Sequence, residues 1–418
     1  MILLLCNGLF SSLLAAAAPP PMTLEEVLRR ARDANLKLPQ ATLETEAADR
    51  KVREARAERW MKVAIDGDFI YAPPGGYDPV VTNAGEARLQ LTAKQPILDG
   101  GARKAAIDRA RSDRDAARAR LRVAEKDLEV EVRSRFAEWL EADAEITARR
   151  NGLERLGRYR TSLESRKASG QGIAADLLKT QVRLASDEAD AIDAEGRRAE
   201  AAAELAAMMG LPPDAPLALV APAPEPSPAL DASAAPAAGP EVAEAEALER
   251  GAQADIRAAR AEKRLHLSAS ADAGWWGADT TRWAVERWRR DAGFSLGMQV
   301  SWLLWDFGAS DARIARADLD ARRARLEIAS REREAGLQRA RAAATARALS
   351  RQIDVLTRAE PSARDAYLDA ESRYRGGAAT SLEVIDAYAA SVEASVKLAQ
   401  ALSRLRIAQA LERRWETP

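Results

Sequence analysis

The sequence has almost none of the residues from which catalytic and metal-binding sites are usually built. Its 418 residues include one cysteine, Cys6, and one histidine, His266. A disulfide within the chain is therefore impossible, and a Cys/His zinc site is nearly so. The sequence shows no nucleophile elbow, phosphate-binding loop or metal-ligand spacing. We therefore predict no enzymatic activity, no cofactor and no metal site.

Net charge and long apolar runs are also lacking. The 63 basic and 64 acidic residues almost cancel, so the chain lacks the basic surface of a nucleic-acid-binding protein. Beyond the N-terminus, no stretch of the sequence approaches the ~20 consecutive apolar residues of a transmembrane helix. If this protein spans a membrane, it must do so with strands.

The N-terminal residues have the pattern of a secretory signal peptide. Residues 1–18 form an apolar run that ends in small residues, although no basic residue precedes the run. A membrane-spanning helix is the alternative, but polar residues and a glycine interrupt the run and it is short for a span. Lipidation at Cys6 is a further alternative, which Leu5 disfavours because lipidation signals have a small residue there.

An internal duplication organises the rest of the chain. The segment 99–102, Asp-Gly-Gly-Ala, recurs 207 positions later as Asp-Phe-Gly-Ala at 306–309. Residues 53–58 recur 204 positions later at 257–262, so a loop between these blocks absorbs three residues. One structural unit therefore occurs twice.

Each repeat is predicted to contain a helix, two strands around a loop, a very long helix, a sharp turn and a returning helix. The long helices are rich in strong helix formers and contain only one proline, Pro361. At 1.5 Å per residue each would span roughly 100 Å. The segment 215–240 is so rich in proline and alanine that it is predicted to be an extended linker. The predicted boundaries are a signal peptide at 1–18, a first repeat at 19–214 (strands 62–72 and 86–98, long helix 101–168, return helix 172–209), the linker, and a second repeat at 241–418 (strands 265–275 and 293–304, long helix 308–375, return helix 380–414).

The strands carry the most informative pattern. Apolar and polar residues alternate along all four, most clearly from Phe294 to Trp302. Such alternation is typical of membrane-barrel strands, but equally of a half-buried sheet in a soluble domain. Six of the nine tryptophans lie between Trp275 and Trp305, and tryptophan near strand ends favours the membrane interpretation. His266 lies on the polar side of its strand, which indicates a wetted lumen residue rather than a ligand or base.

Four strands are too few to close a barrel, since the smallest single-chain membrane barrels use about eight. The chain must therefore assemble if its strands span a membrane. Two copies would supply eight strands around a lumen filled by side chains, and three copies would supply twelve around a water-filled passage.

Three motifs, together with the duplication, resemble the TolC-type outer-membrane efflux protein family over nearly the whole mature chain. They are Leu24–Leu28 near the start, residues 95–101 at a strand-to-helix junction, and residues 373–387 at the second helical turn. The resemblance implies an α+β membrane protein with four strands per protomer. In a homotrimer, these would form a twelve-stranded outer-membrane β-barrel, continued by a long periplasmic α-helical barrel.

The resemblance also implies the function and the partners. The protein would be the passive exit duct of a tripartite efflux or type I secretion system, gated at its periplasmic tip. It would lie in the outer membrane of a Gram-negative bacterium, in contact with outer-membrane lipid. Its partners would be a periplasmic adaptor (membrane fusion) protein and an inner-membrane pump, with no nucleic acid.

The candidate site residues lie at the tips of the helical hairpins. Gly170, Gly376 and Gly377 are predicted to permit the tight turns. Glu383 and Asp386 match two family acids that ring the periplasmic constriction, and in a trimer six carboxylates would favour cations and be plugged by multivalent ones. The segment from Thr380 to Glu383 also has the pattern of a capping box, which accounts for Glu383 but not for Asp386.

A second set of tip residues resembles the family's gate clamp. Asp176 matches an acid and Tyr374 an aromatic of that clamp, while Ala379 stands where the best-known member has an arginine. The resting tip is therefore predicted to be looser, or Arg375 to substitute. Asp176 could alternatively be a helix N-terminal acid favoured by the helix dipole.

Two non-channel interpretations remain from the sequence. A periplasmic adaptor protein also carries a signal peptide and a helical hairpin, but it has one hairpin and no duplicated strand–helix plan. A structural coiled coil would explain the helices, but neither the alternating strands nor the signal peptide.

Overall fold

The computed structural model describes residues 21–71, 85–169, 174–221, 239–277 and 292–415. The predicted signal peptide, Gly170 and most of the predicted linker lie outside the described residues. Within them the elements in chain order are α1 (Leu24–Ala34), α2 (Lys37–Ala57), β1 (Lys62–Tyr71), β2 (Gly85–Asp99), α3 (Ala102–Ala168), α4 (Ala174–Met208), α5 (Pro240–Ala261), β3 (His266–Gly277), β4 (Ala292–Ser301), α6 (Ala309–Arg375) and α7 (Ser381–Arg413).

The bounds of several elements differ from the sequence-based expectation by one or two residues, and two differences are larger. Helix α1 has no counterpart in the predicted repeat pattern, and it begins where the Thr23 hydroxyl accepts a hydrogen bond from the backbone N–H of Glu26. Strand β4 ends at Ser301 rather than at residue 304. Pro361 lies inside α6 without ending the helix.

The duplication is visible in how the two longest helices begin. The Asp99 carboxylate accepts hydrogen bonds from the backbone N–H groups of Gly101 (3.0 Å) and Arg103 (2.7 Å). Asp306 accepts equivalent bonds from Gly308 (3.2 Å) and Ser310 (2.7 Å). Because the first N–H groups of a helix lack intrahelical partners, the same aspartate cap starts both α3 and α6.

The chain divides into two compact units, and each takes segments from both sequence repeats. The sheet unit takes its described residues from the ranges 36–125 and 235–338. The hairpin unit takes its described residues from the ranges 21–35, 126–234 and 339–415. The repeat is therefore a unit of sequence, whereas each packed unit requires both repeats.

The sheet unit contains one antiparallel sheet with the strand order β1-β2-β3-β4. Strands β2 and β3 come from different repeats and pair along most of their length, from Ala87 opposite Gly277 to Asp99 opposite His266. The register shifts between Pro96 and Leu98, where proline supplies no N–H to the ladder.

The hairpin unit is held together by a core to which α3, α4, α6 and α7 all contribute. Its buried members are Leu156, Tyr159, Leu163, Tyr367, Ala370, Val384, Tyr388, Val392 and Val396, with Leu177 and Leu184 of α4 packed against them. In the same unit, the described start of the predicted linker runs beside the N-terminus. Met22 bridges Leu219 and accepts a hydrogen bond from the Val220 N–H (3.0 Å).

Candidate functional site: the sheet face and the second helical turn

One face of the sheet is apolar and open to its surroundings. The register aligns Val63, Ala93, Ala271 and Leu296 across the four strands, and Ile65, Leu91, Ala273 and Phe294 in the next row. These rows place apolar side chains from every strand on one face. Phe294 is 80% exposed and Leu296 78%. Exposed apolar area of this extent marks an interaction or membrane surface.

The opposite face is polar. It carries Asp66, Gln90, Thr92, Asp272, Ser295 and Gln299, among others. Arg88 donates a hydrogen bond to Gln90 (2.8 Å), and Ser295 donates one to Asp272 (3.4 Å). His266 pairs with Ser301 in the register and lies on this polar face. The sheet thus separates an apolar side from a side that suits water.

Both edges of the sheet are open in the described part of a single chain. Strand β1 pairs only with β2, and β4 pairs only with β3. An unprotected edge strand presents a row of unpaired N–H and C=O groups that can pair with another chain. None of the helices in the described ranges is both long and apolar enough to cross a membrane.

The turn between α6 and α7 is closed by two capping motifs. The N–H of Ala378 bonds to the Arg373 carbonyl (2.8 Å) and the N–H of Gly377 to the Tyr374 carbonyl (3.1 Å), which is a Schellman motif. Gly377 has φ 76°, a conformation that glycine adopts without the Cβ penalty. Helix α7 then starts at a capping box, in which Thr380 and Glu383 exchange hydrogen bonds of 3.3 Å.

The two candidate ring acids lie together on the first turns of α7. Glu383 and Asp386 are both exposed and, three residues apart, share one helix face. The Glu383 carboxylate has a second partner, because Arg373 lies 3.6 Å from it. Asp386 forms no ion pair within the part of the chain that the structure describes.

The two clamp candidates lie beside one buried tyrosine. The Tyr374 ring meets Tyr159 edge-to-face at a centroid distance of 5.3 Å. Burial raises the pKa of Tyr159, and the negative charge of Asp176 adds to the increase. Asp176 is half-buried in the first turn of α4. The structure therefore places Asp176 and Tyr374 around Tyr159 without a direct bond between them.

Arg166 contacts the end of α6. The arginine that closes the clamp in the best-known family member is replaced here by Ala379. The Arg166 guanidinium donates hydrogen bonds to the carbonyls of Arg375 (2.6 Å) and Tyr374 (3.4 Å). It also lies 5.0 Å from the centre of the Tyr374 ring, within range of a cation–π contact. Arg375 itself forms an ion pair with Glu371, so its guanidinium is engaged along α6.

Buried ion pairs inside the hairpin unit were not foreseen from the sequence. Asp187 of α4 is fully buried and pairs with Arg183 (3.0 Å) and with Arg149 of α3 (3.6 Å). Glu145, also buried, pairs with Arg149 (2.9 Å) and Arg197 (2.8 Å). Charges at a helix–helix contact cannot be told from a solvated face by composition alone, because Arg and Asp recur throughout these helices.

The tyrosines offered a signal that sequence reasoning missed. Four of the six tyrosines of the chain lie at 159, 367, 374 and 388, and all four pack in or against the hairpin core. Their concentration in an aromatic-poor sequence could have indicated where the four helices meet.

The comparison with known families agrees with this geometry. The sequence profile described as Outer membrane efflux protein matches residues 27–211 and 232–413. The chain belongs to the outer membrane efflux protein family. The two matched segments correspond to the two repeats, and the second begins at residue 232, within the predicted linker.

Several solved outer-membrane proteins have a similar fold. The outer-membrane channel OprN is 22% identical, with a TM-score of 0.79 over 94% of this chain and 89% of that one. VceC from Vibrio cholerae is 19% identical, with a TM-score of 0.81 over 94% and 95%. The Neisseria gonorrhoeae MtrE channel, in its open state, is 19% identical, with a TM-score of 0.81 over 94% and 88%. No curated protein matches the sequence significantly.

Family membership determines the class of function. The protein is an outer-membrane efflux protein, a transport conduit rather than an enzyme. The apolar sheet face is the part suited to lipid, and the polar face is the part suited to a water-filled passage.

Proposed function

We propose that three copies of the efflux channel close their sheets into one twelve-stranded barrel, and that the helical turns form its gated periplasmic end. An adaptor protein and an inner-membrane pump would load the duct from that end. The proposal rests on one contact. In the first repeat, the junction between the second strand and the long helix packs on the other repeat. The equivalent junction of the second repeat has no such partner in the described residues.

The contact within the chain is made by Gly100, at the junction of β2 and α3. A Cβ added to Gly100 would lie 2.6 Å from the Ala261 carbonyl oxygen and 2.7 Å from Arg264 Cβ. The Arg264 guanidinium also donates a hydrogen bond to the Gly100 carbonyl (3.0 Å). This junction of the first repeat thus packs closely on the junction of α5 and β3 in the second repeat.

The equivalent residue of the second repeat is Phe307, which lacks such a partner in the described chain. Its side chain is 93% exposed, and it has φ 55°, an uncommon conformation for a bulky residue. Trp305 contacts it edge-to-face at 6.0 Å, and Leu304 and Trp305 are also exposed. By the repeat relation, the partner of Phe307 would be the junction at 57–60 of a neighbouring copy.

The open edges of the sheet support the same arrangement. If β4 of one copy pairs with β1 of the next as β2 pairs with β3, each copy adds four strands and the ring has no remaining edge. Such a heterologous contact generates a closed ring when the rotation permits. Twelve strands give a lumen wide enough for water, whereas eight are filled by side chains.

The gate is proposed to lie at the turn between α6 and α7. In a threefold ring, Glu383 and Asp386 would contribute six carboxylates near the axis. Arg166 would hold the turn closed through the end of α6, in place of the arginine that Ala379 replaces. Asp176 and Tyr374, on either side of Tyr159, would move as α4 and α6 separate.

The first test is single-channel conductance of the detergent-extracted protein in a planar bilayer, beside its mass in the same detergent. Conductance steps from a particle of three chains are expected. A monomer without conductance would contradict the proposed threefold barrel.

A variant tests the contact between copies directly. Phe307→Gly restores the residue type of the first repeat and relieves the positive φ, so the single chain should fold at least as well. Loss of the buried aromatic contact between copies should nevertheless lower the temperature at which trimers dissociate. Leu319→Gln is the control, because it removes an exposed apolar side chain of α6 that lies outside this junction.

A further inference from the structure

A cavity lies in the sheet unit where α2, the end of β2 and the start of α3 meet. Its volume is about 930 Å³, and five cationic side chains line it: Arg56, Arg59, Arg103, Lys104 and Arg111. Only two carboxylates, those of Asp99 and Asp108, share the wall. The cavity therefore carries an excess of positive charge in a protein whose net charge is close to zero.

The two carboxylates are already engaged by other cations. Asp99 pairs with Arg103 at 2.7 Å and caps the start of α3. Asp108 pairs with Arg257 at 3.2 Å and with Arg111 at 3.6 Å. Arg56, Arg59 and Lys104 form no ion pair with any carboxylate of the described residues. Three cations thus face the cavity without a counter-charge from the described residues.

The second repeat shows that this lack of counter-charge is specific to the first. The repeat relation equates Arg59 with Lys263 and Lys104 with Asp311. Lys263 and Asp311 form an ion pair, so the second repeat neutralises its own junction. With Lys104 in place of an aspartate, the first repeat keeps both positive charges available.

The cavity adjoins the apolar face of the sheet. Gln95, in its wall, is opposite Ala269, which is opposite Met298 on the apolar face. Gln95 donates a hydrogen bond to the Arg59 carbonyl (3.1 Å), which joins strand and helix across the site. Trp60 and Ile97 also line the cavity. Trp60 is 75% exposed in the single chain and belongs to the junction that the proposed ring packs against Phe307 of a neighbouring copy. Tryptophan and cations at the end of a lipid-facing surface are typical of the headgroup level of a membrane.

We propose that this cavity binds the phosphate-bearing headgroup of a phospholipid in the periplasmic leaflet of the outer membrane. Arg56, Arg59 and Lys104 contact the phosphate, and the acyl chains lie against Ile97 and the apolar face. A lipid rather than free phosphate is the occupant, because only a lipid uses both the cations and the adjoining apolar surface. The site rests on the proposed insertion of the sheet into the membrane.

The test compares lipid retention in three forms of the detergent-extracted trimer. Lys104→Asp copies the residue of the second repeat and allows an ion pair with Arg59, so it removes the available charge without leaving a buried group unpaired. Lys179→Asp makes the same charge change at an exposed position on α4 and serves as the matched control. Each form is incubated with phosphatidylglycerol and its bound lipid is counted by native mass spectrometry.

We expect wild type and Lys179→Asp to retain about one phosphatidylglycerol per chain. Lys104→Asp should bind it roughly tenfold more weakly, because one charge-assisted contact is lost. Equal retention by all three forms would overturn the proposal. That result is also expected if a neighbouring copy fills the cavity in the trimer. Displacement of the lipid by millimolar inorganic phosphate would show a free-anion site and would also overturn it.

Conductance separates this inference from the proposed function. If all three forms conduct as trimers but retain lipid equally, the headgroup site is wrong and the channel stands. If wild type neither assembles nor conducts, the proposed function fails, and the headgroup site, which rests on membrane insertion, is overturned with it.

Discussion

Gly152 of α3 and Tyr388 of α7 lie in direct contact at the centre of the hairpin core. A Cβ added to Gly152 would lie 2.9 Å from the Tyr388 hydroxyl oxygen and 2.8 Å from Val392 Cγ2. Such distances are shorter than side chains tolerate without movement, so α7 can approach α3 this closely only because residue 152 is glycine.

Gly152→Ala is therefore expected to destabilise the hairpin unit. Overpacking a core costs about 1–3 kcal/mol, and the gain in helix propensity returns about 1 kcal/mol. The net loss, up to about 2 kcal/mol, should lower the denaturant midpoint of the extracted protein.

Gly157→Ala on the same helix is the matched control. No heavy atom lies within 4 Å of a Cβ added there, so only the propensity gain of about 1 kcal/mol applies. Equal effects of the two substitutions would contradict the close packing of α7 on α3.

The ring of acids makes a prediction about cation block. Glu383→Gln together with Asp386→Asn removes both charges, while glutamine retains the capping-box hydrogen bond. Block of the channel by multivalent cations should weaken, and a loss of about 1.4 kcal/mol in cation binding would already weaken it about tenfold.

Glu393→Gln tests whether any acid of α7 would have the same effect. Glu393 is exposed and pairs with Lys397 at 2.6 Å, farther along the helix. Unchanged block in the Glu383/Asp386 variant, or equally weakened block in Glu393→Gln, would remove the acidic-ring hypothesis.

The buried ion pair between α3 and α4 predicts an asymmetry between two neighbouring aspartates. Asp187→Ala leaves Arg183, which is 33% exposed, without its partner, while Arg149 keeps Glu145 and Asp190. The cost should therefore be at most about 3 kcal/mol, the lower end of the range for breaking a buried pair. Asp190 also contacts Arg149, at 2.7 Å, but its side chain is 47% exposed. Asp190→Ala should therefore cost less than about 1 kcal/mol. Similar denaturation midpoints for the two variants would show that the buried pair adds nothing to stability.

Tyr367 predicts how stability changes at alkaline pH. Burial raises the pKa of Tyr367 to about 12, above the ordinary value of about 10. The unfolded chain therefore loses this proton first, so the free energy of unfolding is unaffected below about pH 10 and falls between about pH 10 and 12. The slope from this one group is at most about 1.4 kcal/mol per pH unit.

Tyr367→Phe isolates this contribution. The Tyr367 hydroxyl has no hydrogen-bond partner among the described residues, so the substitution should change stability little at neutral pH. Above about pH 10 the variant should lose less stability than wild type, since phenylalanine does not ionise. Parallel stability curves for the two proteins across that range would contradict the assignment.

Much of the fold was accessible from local patterns. The recurrence of Asp99 as Asp306 predicted the duplicated helix start, and the alternation from Phe294 onwards predicted a sheet with one apolar face. These features depend on residues close together in the chain, where helix propensity, capping and period-two alternation act directly. The family followed from the same local motifs.

The tertiary structure alone showed how the repeats share their cores and where the charges lie. No local pattern indicates that Asp187 is buried against Arg149 or that Arg166 holds the end of α6. Nor does one indicate that Lys104 has no ion-pair partner among the described residues while Asp311 neutralises Lys263. Each of these depends on which helix lies opposite, and contacts between residues distant in the chain are set by packing rather than by propensity. The candidate ring acids could be named from sequence, whereas their surroundings could not.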